Sequence, residues 1–159
     1  MPGLVGLITR MPQECAERQL AQMLQALRHE SFYRTGAWIG PANGIYVGWV
    51  AREGSFAEKM PLQNESGEVT LVFSGEEFPE PGVAASLRAR GHAVTEDGPS
   101  YLVHRYEDEP DFPKGLNGRF HGLVANRRSG TALLFNNRFG HCIRRYLLPP
   151  CSRDCRHFR

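Results

Sequence analysis

One group of residues whose types and spacing could bind a metal lies near the C-terminus of the chain. They are Cys142, Cys151, Cys155 and His157. Thiol and imidazole groups are the ligands that zinc prefers, but zinc fingers pair a Cys-x₂₋₄-Cys with a distant second pair of ligands. The Cys-x₃-Cys-x-His spacing found here is not of that kind. We therefore predict no metal site and no cofactor.

Groups that could act as nucleophiles or bases do not form a known catalytic pattern either. No serine lies in a G-x-S-x-G sequence, and no Walker-type phosphate loop is present. Cys15 opens a predicted helix, and His29, His104 and His121 are expected to have structural roles. Individual side chains therefore identify no reaction. The secondary structure that would position them can be predicted from the sequence.

Hydrophobic periodicity predicts an alternation of strands and helices. Leu20, Met23, Leu24 and Leu27 recur at helical spacing and predict a helix over residues 13–27. Apolar runs predict strands over residues 4–8, 45–51 and 69–73. A second helix is predicted over 81–90, a loop over 36–44, and either a helix or a strand over 101–106. Two further apolar runs, 120–125 and 131–135, flank Ser129-Gly130 and predict a hairpin.

The hairpin region also carries a recognisable pattern. The segments LNGRF (116–120) and ANRRSGTALLFNNRFG (125–140) closely resemble the signature that closes the N-terminal glutaminase domain of the asparagine synthetase family. Further resemblances follow the family's order along the chain. They are MPGLVG (1–6), LRH (27–29), PLQNE (61–65) with Gly67, LVFSGE (71–76), GH (91–92) and LVHRYE (102–107).

This resemblance implies a fold and an activity. The fold would be α+β, a four-layer α-β-β-α sandwich with two antiparallel sheets of the N-terminal-nucleophile hydrolase type. It would occupy residues 1–148, and residues 149–159 would form an irregular tail, truncated or read out of frame. Family members hydrolyse glutamine and pass the ammonia to a second domain for ATP-dependent amide formation.

At the catalytic positions the sequence departs from the family. The N-terminal cysteine nucleophile, whose own α-amine acts as base, is replaced by Pro2. The asparagine that stabilises the oxyanion is replaced by Ser74, whereas Gly75, whose N–H completes the oxyanion hole, is retained.

The substrate-binding positions are also altered. Glu53 stands where an arginine would hold the carboxylate of glutamine, and Arg52 is expected on the opposite face of the strand. Glu76 is retained as a substrate-binding residue. The family's aspartate is absent or displaced by one residue to Asp97.

Loss of the nucleophile decides the expected activity. Removing a covalent nucleophile lowers the rate by about 10⁶-fold in a well-studied protease, and losing one oxyanion donor by about 10²–10³-fold. We therefore expect an inactive amidotransferase domain that lacks its synthetase domain and for which glutamine is a doubtful ligand. The alternative is a non-catalytic module that supports or docks a separate synthetase chain, as in amide-forming relatives that do not use glutamine.

Composition limits the remaining functions. The formal net charge of +2 is too small to indicate a nucleic-acid partner. No apolar run reaches the roughly 18 residues of a membrane span, and no secretory signal is recognisable. With four cysteines and no such signal, we expect reduced thiols and a cytoplasmic location.

Overall fold

A computed structural model describes residues 3–95 and 98–137 of the chain. Pro2, Asp97, the cysteines from Cys142 onward and the tail 149–159 lie outside this part. The described residues form three α-helices and seven strands in two antiparallel sheets, a mixed α+β architecture. In chain order these are β1 (Gly3–Ile8), α1 (Gln13–Leu27), β2 (Arg34–Gly40), β3 (Ile45–Ala51), β4 (Leu62–Gln63), β5 (Val69–Glu77), α2 (Val83–Ala89), α3 (Tyr101–Asp108), β6 (Gly118–Asn126) and β7 (Thr131–Asn136).

The first sheet has the strand order β1-β3-β2. Strand β2 extends into residues 36–44, where the glycines of the sequence predict a loop. In the structure Gly36 lies under the indole of Trp49, and a Cβ atom there would come within 2.2 Å of Trp49 Cζ2. The glycine therefore admits a large side chain from the neighbouring strand rather than a turn.

The second sheet has the order β4-β5-β6-β7 and contains the predicted hairpin. The turn between β6 and β7 includes Gly130 at a φ of +67°, a conformation that favours glycine. Strand β5 continues past its predicted end at Phe73, because its pairing with β6 extends from Val69–Asn126 to Glu77–Gly118. Ser74, Gly75 and Glu76 are thus strand residues.

The two faces of β3 contact different parts of the molecule. Tyr46 packs with Ala16 and Leu20 of α1. Ile45, on the opposite face by strand alternation, packs with Leu123 and Ala125 of β6. The first sheet is therefore covered by α1 on one face and contacts the second sheet with the other.

The helices cover the outer parts of this core. The predicted bounds of helix α1, residues 13–27, are confirmed. Helix α2 begins at Val83 rather than at Pro81, since Gly82 takes a left-handed φ of +88° that interrupts the helix. Residues 101–108 are helical, and the first five residues of α3 are buried. Among the described helices, none combines the length and apolar character that crossing a membrane requires.

Candidate functional site

The N-terminal end of β1 lies where the two sheets meet. Gly3 pairs with Val50 of β3 in the first sheet. The backbone N–H of the next residue, Leu4, donates to His121 Nε2 of the second sheet at 3.2 Å. Since Nε2 accepts this bond, the neutral imidazole carries its proton on Nδ1. The first two residues of β1 are therefore held between β3 and β6.

Ser74 lies beside this contact. It is the pairing partner of His121 across β5 and β6, and only 1% of it is exposed. Neither Ser74 Oγ nor His121 Nδ1 has a hydrogen-bond partner within residues 3–95 and 98–137. Burial lowers the pKa of His121, so the imidazole is held in its neutral form. The serine predicted at the oxyanion position is thus buried near the start of β1.

Gly75 and Glu76 continue the same strand. Gly75 has a φ of +116°, and a Cβ atom there would lie 2.1 Å from the carbonyl oxygen of Arg119. The position therefore requires glycine. Glu76 is exposed and pairs with Arg119 in the sheet register. Its carboxylate is accessible to solvent, as a substrate-binding group would need to be.

Arg52 and Glu53 follow the last residue of β3, and this corrects their predicted placement. Both lie beyond the strand, so they are not on opposite faces of it, and both line an open pocket of about 550 Å³ with Phe32 and Tyr33. Since β3 runs antiparallel to β1 and Val50 pairs with Gly3, the two residues lie past the N-terminal end of β1. The structure therefore brings Arg52 and Glu53 together in one pocket past that end, and it places Ser74 opposite His121, which contacts Leu4.

The charges of this pocket are partly paired. Glu53 Oε1 accepts a hydrogen bond from Arg34 Nη2 at 2.7 Å, and both side chains are mostly exposed. This bond is the main cause that raises the pKa of Arg34. Arg52 is exposed and makes no ion pair with the residues that the structure describes. The carboxylate of Glu53 is thus partly neutralised, which weakens the repulsion expected for an anionic ligand.

The chemistry available around the start of β1 is limited. Ser74 Oγ is not hydrogen-bonded to His121, whose Nε2 already accepts from Leu4. The cysteine of the described residues, Cys15, lies on α1, on the far side of the first sheet from this site. No activated nucleophile is therefore formed by the described residues of the site.

A buried ionic network lies next to Glu76 in the sequence. Glu77, 4% exposed, accepts hydrogen bonds from the Tyr101 hydroxyl and from Arg105 Nη1, the latter at 3.5 Å. Arg105 binds Glu109 through two hydrogen bonds of 2.6 and 2.9 Å. Burial raises the pKa of Glu77, whereas the bonds from Tyr101, Asn117 N–H and Arg105 oppose that rise. Each charge in this network has a partner, which is the arrangement that burial demands.

A second group of polar side chains surrounds α3 and was missed from the sequence. It consists of Glu65, His92, His104 and Glu107, and we call it the His–Glu cluster. One ligand atom from each residue lies within 4.8 Å of the other three. His104 Nδ1 is 3.0 Å from Glu107 Oε2 and 3.8 Å from Glu65 Oε2. His92 Nδ1 is 4.0 Å from Glu107 Oε2.

Outer partners fix three members of the His–Glu cluster. Glu107 Oε1 accepts a hydrogen bond from Asn64 Nδ2 at 2.7 Å. Glu65 Oε1 accepts one from the Ala93 N–H at 2.6 Å, which is the main cause that lowers the pKa of Glu65. The other ring nitrogen of His92, Nε2, is 3.0 Å from Asp108 Oδ1. In each case one atom is held from outside and the other faces the cluster.

One signal in the sequence could have indicated the cluster. His104 and Glu107 are three residues apart on a predicted element, the spacing by which helices present paired metal ligands. From the sequence alone, His104 is expected to have a structural role. Glu65 and His92 come from two separate turns, and only the packing of those turns against α3 brings them near.

Comparison with known proteins adds no relative. No protein-family model matches the chain, and no curated protein sequence matches it.

Proposed function

We propose that this chain is a glutamine amidotransferase domain of the asparagine synthetase type that no longer hydrolyses glutamine. The observation that carries the proposal is the position of the N-terminal end of β1. The pairing of Gly3 with Val50 and the bond from Leu4 to His121 bring it beside both the end of β3 and Ser74 of β5. An enzyme that uses its first residue as nucleophile needs this arrangement, because its oxyanion and substrate groups must surround the chain terminus.

The finer architecture is part of the same proposal. Two antiparallel sheets share an interface, α1 covers the outer face of the first, and α3 packs within the core formed by the second. We infer from these contacts the four-layer α-β-β-α sandwich of N-terminal-nucleophile hydrolases. The order of motif resemblances along the chain supports this assignment, since a shared topology requires a shared order.

Loss of hydrolysis is inferred from two different deficiencies. Pro2 supplies neither a thiol nor a hydroxyl for covalent catalysis. Ser74 is buried, and its hydroxyl lies on a shorter side chain than that of an asparagine. It therefore does not extend as far toward an oxyanion as an asparagine amide would. Binding is altered as well, because the carboxylate of Glu53 occupies the pocket where a cation would hold the carboxylate of glutamine.

Ammonia release from glutamine tests the proposal. We expect the chain as it stands, and the Pro2→Cys variant, to release ammonia at the rate of a buffer control. We expect measurable turnover only when Pro2→Cys is combined with Ser74→Asn and Glu53→Arg. The last change also places a second guanidinium beside Arg34, so Glu53→Gln serves as a matched alternative that removes the charge without adding another.

Covalent labelling makes the test independent of turnover. An electrophilic glutamine analogue should alkylate the new thiol of the combined variant, and mass spectrometry of peptides should locate the label on residue 2. Cys15 is the internal control for non-specific alkylation. Ammonia release by the unchanged chain would overturn the proposed loss of function. A combined variant that folds but is never labelled at residue 2 would overturn the assignment to this class.

A further inference from the structure

We propose that the His–Glu cluster is a zinc site that fastens two surface turns to helix α3. Glu65 belongs to the turn between β4 and β5, and His92 follows α2. His104 and Glu107 lie on α3 itself. None of these four residues lines the candidate pocket, and the inference does not depend on what that pocket does.

The donor set selects the class of metal. Two imidazole nitrogens and two carboxylate oxygens are ligands of zinc and other late transition metals, whereas magnesium and calcium take oxygen ligands. The two carboxylates balance the charge of a divalent ion. Around a tetrahedral zinc with bonds of about 2.0–2.1 Å, ligand atoms lie roughly 3.4 Å apart. Three separations in the cluster, of 3.0, 3.8 and 4.0 Å, bracket this value, and all of the ligand atoms lie within 4.8 Å of one another.

The outer partners resemble those that orient metal ligands. Asp108 contacts the ring nitrogen of His92 that faces away from the cluster, an arrangement that fixes the ring and raises the basicity of the other nitrogen. Asp108 is itself held by Arg90 Nη1 at 2.8 Å. Asn64 and the Ala93 N–H each hold the far oxygen of one carboxylate. The near atoms are thereby left directed at a common centre.

The two negative charges of Glu65 and Glu107 also favour a cation at this centre. Oxygen atoms of two carboxylates lie within 4.8 Å of each other, and the rings of His92 and His104 are 4.7 Å apart. Such carboxylates repel one another unless positive charge lies between them. The two rings are tilted by 35° to each other, and one zinc ion bound by both imidazoles and both carboxylates would give all four groups a partner. The Glu65 side chain is 47% exposed, so the ion can enter from solvent, while His104 at 2% anchors the site.

Zinc binding to the whole chain tests the inference. The experiment uses a background in which Cys142, Cys151 and Cys155 are changed to serine, because thiols bind zinc independently of the cluster. Metal-free protein dialysed against ZnCl₂ should take up one zinc per chain. At a zinc concentration about 100 times the Kd, the melting temperature should rise by roughly 5–10 °C. Co²⁺ in place of zinc should give the intense visible absorption of a tetrahedral site.

Variants locate the ion. Glu107→Gln and Glu65→Gln should each weaken zinc binding by at least about 100-fold, and Asp108→Asn by roughly 10-fold as an outer partner. Glu65 is on an exposed turn, so its variant should fold even if changes at buried His104 do not. His29→Gln, an exposed histidine at the end of α1, is the matched control and should bind zinc unchanged. Uptake below about 0.1 zinc per chain, an unchanged melting temperature, or full binding by both glutamine variants would overturn the proposal.

Discussion

The region at the start of β1 and the polar groups around α3 are built in contrasting ways. Near the start of β1, the Ser74 hydroxyl and His121 Nδ1 are buried without a partner in the described part of the chain, and Arg52, in the open pocket, makes no ion pair there. Around α3, Glu77 and Arg105 are buried and paired, and three members of the His–Glu cluster are held from outside.

Under the two proposals, this contrast is between a site that has lost its function and one that is prepared for a ligand. Binding groups act well when neighbouring hydrogen bonds hold them in place before the ligand arrives. Ser74 and His121 lack such bonds among the described residues, whereas three members of the His–Glu cluster have them. Changes in the two regions should therefore have unequal effects on stability.

The largest effect is expected in the buried network. Glu77→Ala leaves Arg105 and the Tyr101 hydroxyl without one partner each. The free energy of unfolding should therefore fall by about 3 kcal/mol. This value is at the lower end of the range for breaking a buried ion pair, because Arg105 keeps its bond to Glu109. Urea unfolding measures the change. Glu76→Ala, the exposed neighbour on the same strand, is the control and should change stability by less than about 0.5 kcal/mol. Equal losses would contradict the contrast.

An intermediate effect is expected from His121 and depends on pH. Because burial lowers its pKa in the folded state, the unfolded chain binds the proton more readily below the ordinary value of about 6.5. The stability it contributes is therefore present above that pH and is lost as the pH falls toward the folded-state pKa. The urea midpoint should drop between pH 7.5 and 5.5, and His121→Gln should reduce this drop. His29→Gln should retain it; if both variants retain it in full, His121 is not its source.

A smaller effect, of opposite sign, is expected at Ser74. Its hydroxyl is buried without a described partner, so Ser74→Ala should leave stability unchanged or raise it by up to about 1 kcal/mol. Thr70, on the same strand and face, provides the comparison, because its hydroxyl accepts a hydrogen bond from Gln63 at 3.2 Å. Thr70→Ala should destabilise by about 1–2 kcal/mol. A marked loss in thermal unfolding of Ser74→Ala would reveal a partner for this hydroxyl.

The smallest effect is expected for the exposed pair in the pocket. Arg34 and Glu53 form a short ion pair, but water surrounds both side chains. Glu53→Gln should shift the melting temperature by no more than about 1 °C. The result should be the same at low and high salt. Arg34 Nε also lies 3.5 Å from Glu58 Oε1, so a salt-dependent shift of several degrees would mean that this group of exposed charges contributes more to stability than such pairs usually do.

The sequence by itself determined the elements whose patterns are local. Helix α1 follows from leucines at helical spacing, and the β6–β7 hairpin from apolar runs around a turn that needs a glycine with positive φ. The loop predicted over residues 36–44 was wrong for the part that forms β2, because glycine normally indicates a loop. Gly36 is needed there because the indole of Trp49, on the neighbouring strand, leaves no room for a side chain.

The candidate site shows the same division. The resemblance to amidotransferases indicated Ser74, Gly75, Glu76, Arg52 and Glu53 as a set, but it did not give the pairing of Glu53 with Arg34, which depends on β2 lying beside β3. The His–Glu cluster lay beyond prediction for a similar reason. Its four residues come from three segments, and side chains that are distant in sequence converge only once the two turns pack on α3. Short-range patterning fixes helices and turns, whereas contacts between distant segments are decided by the tertiary structure.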